Sequence, residues 1–478
     1  MTYLIIYSLV LGLATYLLLY KKIGVTIFGA SSTVGLLLII LLPILIENDV
    51  FSSSDSGSSP TFDKTKLDNY FNSLEDNNKF MGSVAVSKNG EIIYLKSIGY
   101  ADVENNLKAT KETKYRIGSI SKSFTAVLVL KAVEKKKLEF DQTIDKWFPT
   151  ITNSKKITVK QLLNHRSGIH NFTSDSEYLM WNTQPKTEKE MVEIIKRGGS
   201  DFIPDSKAEY SNSNYVLLTY ILEKTFIKSY SELLQEHIAQ PIGLTNTYVF
   251  GKINTSNNEC KSYKFVVSWK EEHETDFTIP LGAGAITSTT SDLTKFADAL
   301  FGGQLLTAES LEIMKTVQEG YGNGLLQIPF YNSVGFGHTG GIDGFSSVYS
   351  HFPDDNISYA LTSNGTNISN NDISIAVLSA VYDKPYEIPV FTTYNLTSED
   401  LDKYLGVYTS NQIPLKITIT KDGNILIAQG TGQPAFLLEA TNKDKFKFDQ
   451  LGAKFEFNPT KKTMILFQGG GQIKFTIE

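Results

Sequence analysis

The chain has one cysteine, Cys260, among 478 residues, which excludes an intramolecular disulfide. That lone thiol and six scattered histidines leave no thiolate-rich metal site of the zinc-finger kind. A basic surplus is missing as well. The formal net charge is −6 and no Lys/Arg block is interleaved with aromatics, so nucleic acid is not an expected partner. Internal repeats are absent. Apolar residues are plentiful: 41% hydrophobic against 20% charged can fill two or more ordinary globular cores.

Charge is also absent from Met1 to Tyr20, "MTYLIIYSLVLGLATYLLLY". Lys21 and Lys22 follow, then a second apolar run to Ile46, before the first acids at Glu47 and Asp49. Roughly 20 helical residues cover about 30 Å of hydrocarbon, so each run can span a bilayer. The expectation is a transmembrane helical hairpin over residues 1–46. Its only cations lie in the turn, which places that turn in the cytoplasm and everything after Ile46 in the periplasm or exterior. The uncharged start, and the lack of an A-x-A site after Ile46, argue against a cleaved secretory signal. Residues 47–62, "ENDVFSSSDSGSSPTF", read as a Ser-rich linker.

The main body is expected over 63–385. A helix should start near Lys64. Two β-rich segments flank Asn89-Gly90, a dipeptide suited to the positive φ angles of a tight hairpin. Helical segments dominate from Ser121 to about Ala239, and strands return in "GLLQIPFYNSVGFGHTGG" and "GFSSVYSHFPDDNISYALTSNG". Strands at both ends with helices between them predict one sheet assembled from distant parts of the chain. Over 386–478, short alternating segments separated by Gly, Asp, Asn and Pro predict a small antiparallel β-barrel or sandwich with no chemistry of its own.

In "YRIGSISKSFTA", Tyr115 to Ala126, Ser119 stands one helical turn before Lys122 at the start of an apolar run that ends in Lys135, Lys136 and Lys137. That charge placement puts a helix start at or just after Ser119, with both side chains on neighbouring parts of one face. About two or three S-x-x-K pairs are expected by chance in a chain of this size. Two further stretches give the pair company: Tyr210, Ser211 and Asn212 stand directly before another apolar helix, and His338, Thr339 and Gly340 lie in a Gly-rich, strand-like segment.

Together, "SISK", "YSN" and "HTG", in that order, resemble the serine hydrolases of the penicillin-recognising superfamily, in the class C β-lactamase, D,D-carboxypeptidase and esterase branch. "ITVKQLLNHRSGI" and "GAGAITSTTSDLTKFADAL" look like that family too, and the resemblance covers roughly Phe80 to Asp383. It implies an α+β, β-lactamase/transpeptidase-like sandwich: an antiparallel sheet with helices on both faces and a helical subdomain. It also implies Ser119 as nucleophile, Lys122 and Tyr210 as proton carriers, and Asn212 bonded to Lys122 and substrate. His338, Thr339, Gly340 and Gly341 would line the substrate strand, with the N–H groups of Ser119 and Gly341 as oxyanion donors. Whether Lys122 or Tyr210 takes the first proton stays open here. The family's β-lactam-handling members often carry lysine where His338 stands, and a neutral histidine attracts a substrate carboxylate less. His165 reads as structural. His170, His237, His273 and His351 have no convergent partners in the sequence.

The C-terminal segment resembles the lipocalin-like domain appended to some of these enzymes. The resulting expectation is a membrane-anchored serine hydrolase acting on a small peptide, ester or β-lactam-like substrate without metal or organic cofactor. The rival is a membrane-bound β-lactam or peptidoglycan-fragment sensor that acylates without turnover.

Overall fold

The computed structural model describes residues 62–478 apart from 266–267, 392–393, 434 and 469–470. The hairpin expected over 1–46 and the linker up to residue 61 lie outside the described residues. Among the described residues no helix is long and apolar enough to cross a membrane.

Helix α1 (Lys64–Asp76) is capped by Asp63, whose side chain accepts from the Lys66 N–H, and it buries Leu67, Tyr70, Phe71 and Leu74 at helical spacing. Strands β1 (Phe80–Lys88) and β2 (Glu91–Ile98) meet at Asn89 and Gly90, with φ of 54° and 80°. Those angles are what a two-residue hairpin of this hand requires. Helices α2 (Ser121–Glu134) and α3 (Asn212–Phe226) are buried on nearly every side, as helices with so few polar positions must be. Helix α4 (Thr290–Phe301) follows. Strands β3 (Leu326–Phe330), β4 (Ser333–Ile342), β5 (Phe345–Phe352) and β6 (Ile357–Thr366) then lead into α5 (Asn370–Val381).

The six strands form one antiparallel sheet in the order β3-β4-β5-β6-β1-β2. The first hairpin joins the later strands at the β1–β6 seam, where Val84 pairs with Leu361. Helices α1 and α5 cover one face through a core that includes Phe71, Val84, Leu361 and Val377. Helices α2 and α4 cover the other, with Phe124 and Phe296 stacked at 3.8 Å between ring centres. This is the α+β arrangement that the motifs imply, and β4 runs beside the amino end of α2.

The later strands form a closed antiparallel barrel of eight. They are β7 (Gly406–Thr409), β8 (Lys416–Asp422), β9 (Ile425–Gly430), β10 (Phe436–Asn442), β11 (Lys445–Phe448), β12 (Ala453–Asn458), β13 (Thr463–Gln468) and β14 (Gly471–Ile477). Buried and more exposed residues alternate along β12, as a barrel wall requires. Tyr404, Tyr408, Phe446 and Phe457 meet edge-on or tilted inside it with ring centres 5.0–5.7 Å apart. The interior is a packed core of aromatic and aliphatic side chains, among them Ile417, Leu426 and Met464.

Candidate active site

Ser119 lies in a short 3-10 turn, Gly118–Ile120, that runs directly into α2. No side chain caps this helix, so its amino end presents backbone N–H groups and the positive end of the helix dipole. The turn lies flush against β4. A Cβ at Gly118, where φ is +52°, would stand 2.7 Å from the Gly341 nitrogen, and one at Gly340 would stand 2.0 Å from the Ile117 carbonyl oxygen. Only glycine at both positions lets the two backbones approach this closely. Ser347 on β5 holds them together by donating to the same Ile117 oxygen at 2.8 Å.

Lys122 is wholly buried one turn into α2. Its Nζ lies 2.7 Å from Asn212 Oδ1, 2.7 Å from the Ala283 carbonyl oxygen and 3.0 Å from Ser119 Oγ. Burial pushes its pKa well below that of an ordinary lysine. In the neutral form that burial favours, its two N–H bonds go to the two obligate acceptors and the lone pair faces the serine O–H. A charged ammonium would instead take Ser119 Oγ as its third acceptor, with the hydroxyl proton turned away.

Asn212 is itself held. Its backbone N–H donates to Asn171 Oδ1 and its Nδ2 donates to Thr173 Oγ1, both at 3.0 Å. Tyr210 closes the other side, with Lys122 Nζ 4.8 Å from its ring centre. The Tyr210 hydroxyl is buried without a hydrogen-bond partner among the described residues. Burial raises its pKa, and the nearby Ser119 side chain lowers it in part. His338 on β4 is buried with its ring centre 6.5 Å from that of Tyr210. Its Nδ1 donates to the Thr339 carbonyl at 2.5 Å. Burial and then Lys122 push the His338 pKa down to about 3, so the ring is neutral. Thr339 is partly exposed on the same strand, and Gly341 pairs with Ser346 of β5. All eight residues singled out by the motifs thus gather around the amino end of α2 and β4.

Other residues shape the site without standing out in the sequence. Arg116, three residues before Ser119, is buried and donates to Asp343 Oδ2 at 3.1 Å, Glu274 Oε2 at 2.5 Å and the Gly251 carbonyl at 2.9 Å. Asp343 lies two residues after Gly341 and also accepts from Thr275 Oγ1 at 2.6 Å. The ion pair therefore bridges the two backbone segments that face each other across Ser119. The stretches that hold Ala283 and His165 were marked in the sequence only by family likeness. His165 is buried against Tyr210, with ring centres 4.5 Å apart. His170 does have partners: Asp201 at 2.9 Å and Asp175 at 3.1 Å, both on loops the sequence left unplaced. Among the described residues no group of three or more His, Cys, Asp or Glu side chains is arranged to hold a metal ion.

Such an arrangement can deprotonate a hydroxyl, present it to a carbonyl lying along β4, and return a proton to a leaving group. Known proteins are similar to it over parts of its length that range from under half to most of the chain. Residues 68–381 match the family model for beta-lactamase. Penicillin-binding protein 4* of Bacillus subtilis (strain 168) is 24% identical over 442 residues, 85% of this chain and 97% of its own. The teichoic acid D-alanine hydrolase of Staphylococcus aureus (strain MRSA252) is 30% identical over 200 residues, 42% of this chain and 48% of its own. The D-amino acid amidase from Ochrobactrum anthropi SV3, solved with L-phenylalanine amide, superposes with a TM-score of 0.59 at 27% identity, covering 66% of this chain and 99% of that one. The chain belongs to the beta-lactamase family and is a serine hydrolase.

Proposed function

We propose that this protein is a membrane-anchored hydrolase, its catalytic domain outside the cytoplasm, that cleaves amide or ester bonds of D-amino-acid compounds through an acyl-enzyme on Ser119. Lys122, neutral, takes the hydroxyl proton as Ser119 Oγ attacks the carbonyl carbon. The N–H groups of Ser119 and Gly341 hold the oxyanion; each such donor typically contributes about 3 kcal/mol to lowering the barrier. As the bond to the leaving nitrogen or oxygen breaks, Tyr210 passes that atom a proton. In deacylation water gives a proton to the Tyr210 phenolate as its oxygen attacks the acyl ester, and Lys122 returns its proton to Ser119 Oγ as the acid leaves.

The single observation that carries the reading is the bonding of Lys122: two fixed acceptors for its N–H groups, and Ser119 Oγ 3.0 Å from its nitrogen. The D-amino-acyl preference is supported by the similar amidase and D-alanine hydrolase. A neutral His338 on the substrate strand offers little attraction for a carboxylate, so β-lactam turnover should be poor. The anchor rests on the two uncharged runs that flank Lys21 and Lys22; recovery of the intact chain in a soluble fraction would end that part.

A hydrolysis screen of the full chain with D-alanine p-nitroanilide, D-Ala-D-Ala peptides, p-nitrophenyl esters and nitrocefin tests the chemistry. Steady turnover of a D-amino-acyl amide or ester is expected, with Ser119→Ala at the blank. Unchanged turnover by Ser119→Ala would overturn the assignment.

A further inference from the structure

His165 touches the Tyr-x-Asn segment at three points. Its backbone carbonyl accepts from the Glu209 N–H at 2.9 Å, and its ring Nδ1 accepts from the Ser211 N–H at 3.2 Å. These N–H groups belong to the residues on either side of Tyr210. Its ring also lies on the Tyr210 ring, 4.5 Å between centres with a tilt of 32°. An accepting Nδ1 places the ring proton on Nε2, so the imidazole is a neutral, single tautomer. The residue reaches this position because its own backbone takes φ of +60°, in the left-handed region that few side chains adopt. Tyr215 and Tyr321 pack against its other sides, each 5.3 Å away between ring centres.

A histidine that only filled space would need none of this. The Tyr210 hydroxyl, by contrast, has no side chain to fix it apart from the nearby nucleophile Ser119, so its aim depends on its backbone and on what its ring rests against. We infer that His165 is a positioning residue, which fixes the Tyr210 phenol over Ser119 by holding the N–H groups of the residues before and after it and by backing its ring. The inference rests on the role given to Tyr210 under the proposed function.

A double-mutant cycle on the full chain tests it, with D-alanine p-nitroanilide as the probe and thermal midpoints measured alongside. Glycine and asparagine both tolerate the left-handed backbone. His165→Gly removes ring and acceptor, whereas the Asn side-chain oxygen can stand in for Nδ1. His165→Gly is expected to lower kcat about 30-fold with KM within about twofold, and His165→Asn to recover to within about fivefold of the parent. In a Tyr210→Phe background, His165→Gly should cost less than about twofold further, because the residue acts through Tyr210. A full, multiplicative loss in that background overturns the inference and leaves the proposed chemistry standing. So does His165→Asn performing no better than His165→Gly. If His165→Gly does not fold, His165→Asn carries the cycle: any kcat loss it causes in the parent that persists in full in the Tyr210→Phe background refutes the positioning role. Full activity in Tyr210→Phe would instead remove the role of Tyr210, and this inference with it.

Discussion

Lys122 has no exposed surface, and burial holds its amine well below the ordinary value of 10.5. Two consequences have definite signs. The proposed base must be neutral, so kcat/KM should fall as pH drops through the lowered lysine pKa, and a pH–rate profile reads this directly. Lys122→Arg keeps the charge at every accessible pH and should lose about 10²- to 10⁴-fold in kcat. The second consequence concerns stability. Between the folded-state value and 10.5 the unfolded chain holds a proton that the native protein does not, so stability rises with pH across that window. The slope contributed by one proton is at most about 1.4 kcal/mol per pH unit. Urea unfolding at several pH values should show it in the parent and not in Lys122→Met; equal slopes would contradict a depressed lysine. At this scale the sequence was most legible where a residue type carries chemistry at a fixed spacing, as with Ser119 and Lys122. It was least legible where function depends on a contact between remote positions. Arg116 and Asp343 are 227 residues apart, and nothing local to either announces the other.

The turn Gly118–Ile120 and strand β4 work as one unit, since the oxyanion donors come from both. Gly340→Ala would put a methyl group 2.0 Å from the Ile117 oxygen and force the two apart. Losing one donor in this way should lower the acylation rate about 10²- to 10³-fold, measured by rapid mixing with a p-nitrophenyl ester; a near-parental rate would mean Gly341 is not a donor. The Arg116–Asp343 pair braces the same gap. Asp343→Ala should destabilise the fold by about 3 kcal/mol, because a buried guanidinium is left with one fewer carboxylate, and denaturant melts check that. Elements with a strong period were readable in advance. The Asn89-Gly90 hairpin and the alternating strands of the barrel follow from turn chemistry and a repeat of two. The 3-10 turn before α2 was not, because its cause is a tertiary contact between two glycines rather than a local preference. The same holds for the loop carrying Asn171 and Thr173, which owes its shape to Asn212.

Across the whole molecule, the barrel meets the sheet domain through charge. Lys79, just before β1, is buried between Glu439 at 2.5 Å and Asp449 at 3.5 Å, and Lys447 pairs with the same Asp449 at 2.8 Å. Phe391 lies beneath both lysines, 5.0 and 4.7 Å from their nitrogens. Lys79→Ala leaves two acids facing one lysine. Docking should weaken by about 1–3 kcal/mol, visible as faster proteolysis between the sheet domain and the barrel at an unchanged kcat. The two-part plan was readable from the change in hydrophobic rhythm after residue 385, whereas the clamp was not, since an isolated lysine in sequence gives no sign of burial. All of these levels serve one event, the transfer of an acyl group to a single hydroxyl. The most direct test is peptide mass spectrometry after incubating the full chain with a fluorophosphonate. The account predicts a stoichiometric adduct on the tryptic peptide Ile117–Lys122, localised to Ser119 and absent from Ser119→Ala. An adduct on any other residue, or labelling of Ser119→Ala at the parental rate, would contradict it.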